Sequence, residues 1–299
     1  MDSLDSLKKH LKSATDLKQI VSTMKALSAT NIKKYEKTAL SLNKYINNVY
    51  TGIQGILSQN KDILNYIDYI EKNNDKKDCQ NIIIVVGSNQ GLCGKFNDKI
   101  INFFLEDTKY LDFNSENNNL ITIGDKIESI ISSYNINIFK HISLPNSIEN
   151  IVHIVYSIFT LINDNSKKFK NIYIYYTQHD TKSNGILTKK KVVPLEKEFF
   201  KKILNKKWPT NNVPFWRIDT KKLFSNFIEQ YIFISIYYAI ANSMASEQKN
   251  RLMTLQGAED NIKNNITETT LKYNQIRQTV ITSDLIDVVS GYKLLKKKN

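Results

Sequence analysis

The chain has 299 residues, an apolar fraction of 41% and a formal net charge of +13; this composition supplies a core and excludes wholesale disorder. The charge favours acidic or polyanionic partners, yet arginine occurs only at Arg217, Arg251 and Arg277, and base readout leans on arginine, so a dedicated nucleic-acid binder is not expected. Cys79 and Cys93 are too few for a disulfide framework, and the longest apolar-rich segment, Tyr231 to Ala241, is interrupted by Ser235 and falls short of the ~20 residues of a membrane span.

In chain order, the first segment places apolar residues at Leu4, Leu7, Leu11, Ala14, Leu17, Val21, Met24 and Leu27. Steps of three and four approximate a coiled-coil seam. They predict a helix from about Leu4 to about Leu57, weakened near its end by Gly52 and Gly55. All four prolines, Pro145, Pro194, Pro209 and Pro214, lie in the middle of the chain, so helices at both ends can run uninterrupted.

The middle has another pattern. Asn81 to Val86 is a short, continuously apolar, β-branched run, as expected of a buried parallel strand. A glycine-bearing turn, Gly87 to Gly94, follows it, and then a helical pattern through Phe96, Ile100, Ile101, Phe104 and Leu105. Further strands are expected at Leu120–Gly124, Ile136–Ile142 and Asn171–Tyr176, with helices at Asp125–Ile131 and Ile148–Ile162. This alternation predicts an α/β domain over about 78–200.

At the far end, Phe224, Phe227, Tyr231, Ile234 and Tyr238, then Ile262, Ile266, Thr269, Tyr273, Ile276 and Val280, keep the same alternation of steps. One helix from about Thr220 to about Leu295 would be about 110 Å long. No compact domain of this size buries such a helix, so much of it is expected to pack on another helix or inside a partner. Two polar patches interrupt it, Ser246-Glu247-Gln248 and Asn274 to Thr279, and both are expected to face a surface that changes.

Enzymatic signatures are weak. A Walker A loop requires four residues between its glycines and a hydroxyl after the lysine; here six residues separate Gly87 from Gly94, and Phe96 follows Lys95. A structural turn is the better reading. The histidines, His10, His141, His153 and His179, lack metal-ligand spacing, and His153 is expected to be packed or hydrogen-bonded in its apolar helix. Cys93 is expected to be a buried thiol. No catalytic, cofactor-binding or metal-binding residue is expected.

Several motifs, in order, carry a resemblance to a known family. They are Gln19 to Lys25, Gly91-Leu92-Cys93-Gly94-Lys95-Phe96-Asn97, Met244 to Gln248, Arg251-Leu252-Met253, Tyr273 to Thr282, and Leu285 to Gly291. Together they resemble the gamma (central stalk) subunit of F-type ATP synthases, and Ile123 to Ile127 is similar to the mitochondrial branch. The resemblance implies an antiparallel coiled coil of the terminal helices, residues 1–60 and 215–299, with a central Rossmann-like α/β domain at 78–200. It further implies a non-catalytic rotor shaft coupling proton flow to ATP synthesis. The implied partners are three alpha and three beta subunits, small delta- or epsilon-type stalk subunits and the membrane c-ring. Arg277, Gln278 and Thr282 match family positions that contact the beta subunit, Met24 matches one near an acidic segment of beta, and Lys25 beside it is expected to meet that segment.

The sequence departs from the family at Asn89-Gln90, where Asp-Arg is usual, and in its basic tail, Tyr292 to Asn299. The matrix side of the mitochondrial inner membrane is the expected location, with the cytoplasmic face of a bacterial membrane second. The first residues are acidic and lack arginine, unlike a mitochondrial presequence. Either the chain is not imported or a presequence has been removed. A coiled-coil scaffold and a P-loop-like enzyme are the alternatives.

Overall fold

The computed structural model describes residues 3–60, 63, 80–109, 113, 118–145, 147–163, 169–180, 182–195 and 197–296. The chain divides into two compact units, one of Met1–Ser28 with Arg251–Asn299 and one of Ala29–Asn250. Two long helices, α1 (Leu4–Gln59) and α6 (Thr220–Lys296), each contribute to both.

The larger unit is a three-layer α/β body. Its strands are β1 (Gln80–Val86), β2 (Asn118–Ile123), β3 (Lys140–Ile142), β4 (Phe169–Gln178) and β5 (Ile186–Val193). They lie in the order β3-β2-β1-β4-β5, with β5 alone antiparallel. The connecting helices are α2 (Phe96–Thr108), α3 (Asp125–Ser132), α4 (Ile151–Asn163) and α5 (Lys197–Leu204).

β1 is apolar on both faces because both faces are covered. Ile83 and Val85 pack with Ile100, Ile101 and Phe104 of α2 and with Ile127 and Ile131 of α3. Ile82, Ile84 and Val86 join the opposite core, which includes α1 from Tyr35 to Leu57, α4, and α6 from Tyr231 to Ala245. Each fully buried isoleucine contributes about 1.5–3 kcal/mol of transfer free energy. Along α1 the buried positions of this unit include Tyr35, Ile46, Val49, Ile53 and Ile56, which fit a seven-residue repeat, and from Ile53 to Leu57 the helix is buried all round.

Three sequence expectations need correction here. The strand expected over Ile136–Ile142 contracts to Lys140–Ile142, because only the end of β2, Ile121–Ile123, is available to pair with it. Helix α4 begins at Ile151, three residues later than expected. The sheet also has a fifth strand, β5, which the lysine run Lys189-Lys190-Lys191 hides from an apolar pattern search.

Those lysines are accommodated individually. Lys189 donates to Asp107 at 2.6 Å and lies 4.9 Å from the Tyr173 ring centroid. Lys190 points into the α6 side, donating to the fully buried Ser235 hydroxyl at 3.1 Å and sitting 5.3 Å from the Tyr231 ring centroid. Burial pushes its pKa down from the ordinary 10.5 to about 8.

A depressed lysine pKa penalises the folded state wherever the amine is charged, and the penalty is relieved as pH rises from about 8 towards the unfolded value. Stability of the chain is therefore expected to rise relative to a Lys190→Met variant by about 1–3 kcal/mol between pH 8 and 10. Denaturant titrations of both proteins across that range check it; parallel pH profiles would refute it.

Candidate functional site

In open parallel sheets, ligands bind beyond the carboxyl ends of the strands at the point where the strand order reverses. Here that point lies between β1 and β4. It is closed by the chain's own α6. Ser243 donates to the Val86 carbonyl at 3.4 Å and Ser246 to the Asn184 carbonyl at 3.4 Å, and both serines are fully buried.

The glycine turn after β1 is likewise stitched shut. Asn97 of α2 accepts from the Ser88 amide at 3.0 Å and donates to the Ser88 hydroxyl at 2.8 Å. Asn89 donates to the Leu144 carbonyl at 2.7 Å, while its Oδ1 accepts from the Leu144 and Asp125 amides at 2.8 and 3.3 Å. A carboxamide does this with both ends, so Asn89 is a two-sided bridge. Gly124, at φ 115°, lies so close that a Cβ would stand 2.7 Å from the Ser88 carbonyl oxygen. Cys93 is buried beside Ser88 and Asn97, as expected of it.

Next to this turn, the Asp125 carboxylate accepts from Ser143 at 2.6 Å and meets His141 at 2.9 Å, and His141 meets Thr122 at 3.1 Å. The Ser143 hydrogen bond leads in holding the Asp125 pKa below its usual value. The sequence of hydroxyl, imidazole and carboxylate looks like a relay, but Thr122 is fully buried and no substrate reaches it. His153, expected to be packed, is exposed on α4. Among the described residues no group of three or more His, Cys, Asp or Glu side chains could hold a metal.

The other unit is where the expected contact residues lie. Its α1 part buries Leu7, Val21 and Ser28 and half-buries Leu4, Leu11, Ala14, Lys18, Ser22, Met24 and Lys25. A strict heptad, 7-11-14-18-21-25-28, runs through these positions, and the expected seam fails at Leu17 and Leu27 while its other six positions are buried or half-buried. Leu17 and Leu27 are 49% and 60% exposed, with Ile20 exposed beside them. On α6 the expected seam holds. Thr269 is buried, Ile262, Ile266, Tyr273 and Ile276 are half-buried, and only Val280 is exposed.

Lys25 occupies a seam position and pairs with Glu259 of α6, so its charge has a partner inside the coiled coil. The same pair sets the level of the helices. With equal rise in antiparallel helices, Leu4 stands beside about residue 280. Beyond it α6 continues as a single helix, and every described side chain from Arg277 to Gly291 is exposed. Ile281, Leu285, Ile286, Val288 (70%) and Val289 line this segment.

Met24 and Lys25 thus lie together, while Arg277, Gln278 and Thr282 form a second group about 25–33 Å further along the axis. Thr282 donates to its own helix at the Gln278 carbonyl, 2.8 Å away. Of the two polar patches, Asn274 to Thr279 faces outward except for Ile276. Ser246 and Glu247 are instead buried inside the α/β unit, which overturns the expectation that they face a changing surface.

One unit is a coiled coil of the two helix ends and the other an α/β body whose crevice is filled by its own helix, which places the chain in the class of α/β proteins with long terminal helices. The family comparison agrees: the model described as ATP synthase matches residues 3–295. Curated relatives are gamma chains of ATP synthases. That of Rickettsia typhi is 29% identical, covering 97% of this chain and 99% of its own length. That of Clostridium botulinum (strain Hall) is 27% identical, covering 96% of each. Among solved structures, the rotor of the Euglena gracilis mitochondrial ATP synthase superposes with a TM-score of 0.59 at 14% identity, covering 93% of this chain and 98% of that one. The central stalk and c-ring of the Tetrahymena thermophila mitochondrial enzyme gives 0.53 at 19% identity, covering 80% and 99%. The chain belongs to the ATP synthase gamma-chain family, the family of the central-stalk rotor.

The corrected seam is directly testable by denaturation of the chain. Val21→Ala, in the seam, is expected to cost about 1–2 kcal/mol. Leu27→Ala, expected in the seam but exposed, should change stability by less than about 0.5 kcal/mol. Equal costs at the two positions would restore the original seam.

Proposed function

We propose that this chain is the central shaft of an F1Fo ATP synthase and performs no chemistry of its own. The observation that carries the reading is the single helical segment 277–291, apolar along much of its length and exposed throughout its described side chains. A contiguous apolar surface of this kind requires a cover. A ring of three alpha and three beta subunits around the shaft provides it. Nucleotide chemistry then belongs to the beta subunits, in keeping with a crevice that α6 fills.

Coupling in this reading is differential contact. A shaft whose faces differ favours whichever beta conformation it touches best, and rotation moves that preference from one subunit to the next. Arg277, Gln278 and Thr282 supply polar contacts on the bare segment, and Met24 supplies contact at the other level. Lys25 acts chiefly through Glu259, with its residual exposure available to an acidic beta segment.

The opposite end of α1 bears a second surface. The loop 205–218 is braced by Gln59 donating to the Pro214 carbonyl at 2.7 Å and by Trp208 donating to the Asn212 carbonyl at 3.0 Å. It holds Val213, Phe215 (84%) and Ile218 out to solvent, with Lys206, Lys207 and Arg217 exposed alongside. This apolar and basic loop suits the c-ring and the small stalk subunits.

Among the described residues no helix is long and apolar enough to cross a membrane, which suits a peripheral subunit. The mitochondrial inner membrane, matrix side, is the reading favoured by the Ile123 to Ile127 motif. The bacterial relatives favour the cytoplasmic face of a bacterial membrane as a second reading.

Affinity purification of the tagged chain from its own cell is expected to bring down alpha and beta ATPase subunits in equal number; their absence would sink the proposal. In the assembled enzyme, Gln278→Leu or Thr282→Leu should lower the protons pumped per ATP hydrolysed. An unchanged ratio would remove these residues from the coupling surface.

A further inference from the structure

With only scattered hydrogen bonds such as Ser243 to Val86 and Lys190 to Ser235, the helices meet the sheet of the α/β unit largely through apolar side chains, among them Ala239, Ile240, Ala241, Ala245 and Tyr231. Such contact is strong but non-directional. It resists separation better than it resists sliding or turning, whereas hydrogen bonds resist displacement because their geometry is narrow.

The tip of the β4–β5 hairpin, residues 179–185, concentrates such bonds. On one side His179 Nε2 lies 2.7 Å from Glu36 Oε1 of α1, with nine-tenths of the histidine side chain buried. On the other, Lys249 of α6 donates to the carbonyls of Asp180 and Ser183, each at 2.7 Å. Asn250 donates to the Asn184 carbonyl at 2.9 Å and Ser246 to the same oxygen at 3.4 Å. The tip therefore bonds to both long helices at once.

Its shape is made for this. Asp180 accepts from the Ser183 amide at 2.9 Å and from the Lys182 amide at 3.3 Å, closing the turn. Gly185, at φ 101°, brings the backbone against α6, and a Cβ there would collide with Ser246 Oγ and Thr177 Cγ2. The carbonyls of Asp180, Ser183 and Asn184 thereby converge on one stretch of α6.

We propose that this hairpin tip is a clasp that locks the stretches of α1 and α6 within the α/β unit to its sheet, so that these stretches and the sheet turn as one body. The inference rests on the rotor reading and names the residues through which torque passes between body and helices. Glu36, His179, Gly185, Lys249 and Asn250 are positioning residues in this scheme, since none is assigned a partner contact.

The test uses the F1 complex of this chain with its own alpha and beta subunits, and a magnetic bead attached through a Lys99→Cys substitution on the exposed side of α2. A Glu36→Leu, Lys249→Met double variant is expected to lower rotor torsional stiffness by about twofold or more while unloaded ATP hydrolysis stays within about 1.5-fold, because only hydrogen bonds of ordinary strength are lost. Glu36→Gln, which keeps an acceptor for His179, should retain the stiffness. Hydrogen exchange of the amides of residues 182–185 should accelerate by about tenfold in the double variant, with the β1 and β4 amides unchanged.

Unaltered stiffness in the double variant would overturn the clasp, as would equal acceleration across the sheet, which would mark general loosening. A Glu36→Gln variant as compliant as the double variant would also overturn the hydrogen-bonded link. Failure of the unmodified chain to assemble with alpha and beta subunits would refute the rotor reading, leaving hydrogen exchange to decide whether the tip holds the helices.

Discussion

One constraint organises the protein: α6 must be sheathed on nearly all sides in one stretch and bare in another. From Ile234 to Glu247 it is buried almost continuously, between the sheet, α1 and α4. From Arg277 to Gly291 its described side chains are all exposed. A helix apolar all round is ordinarily a core helix, and a helix that is apolar and uncovered belongs against something else. α6 is both in succession. The sheathed stretch anchors it in the α/β body, and the bare stretch offers a surface to a partner.

The anchoring decides the chemistry. A parallel sheet with a glycine turn after its first strand usually leaves a crevice for a ligand beyond the strand ends. In this chain Ser243 and Ser246 occupy that place and use the Val86 and Asn184 carbonyls as partners. The glycine turn is tied to α2 through Asn97 and to the segment after β3 through Asn89. The Ser88 amide, next to the turn's first glycine, is thus engaged internally.

Much of this architecture was legible in the sequence. Both terminal helices, the first strand and the α6 seam follow from apolar spacing, because proline-free stretches with a sustained repeat have few other ways to fold. The α1 seam was misread for a specific reason. Choosing the most apolar residue at each turn selects Leu17 and Leu27 and gives steps shorter on average than 3.5, whereas the helix keeps the strict heptad even where it lands on Lys18, Lys25 and Ser28. Supercoiling rewards constant period over local hydrophobicity. β5 was hidden for a related reason: Lys190 is an inward-facing residue whose amine is satisfied by Ser235, a partner about 45 positions away that no local pattern reveals. Ser246 and Glu247 show the converse, polar residues buried by tertiary contact where spacing alone suggested solvent.

Several side chains are placed against their polarity, in one physical direction. Lysines have moved inward, to the α1 seam and to β5, while leucine and isoleucine have moved outward, to Leu17, Ile20 and Leu27 on α1 and to Leu285 and Ile286 on α6. A protein folding only for its own stability would exchange them, since each such exchange removes apolar surface from water and returns an ammonium to it. The displacement is concentrated in the unit formed by the two helix ends, and there the outward apolar side chains accompany the residues proposed to contact a partner, Met24, Lys25, Arg277, Gln278 and Thr282. Stability has been given up on these helix ends, and under the proposed shaft function the covering that restores it is another chain.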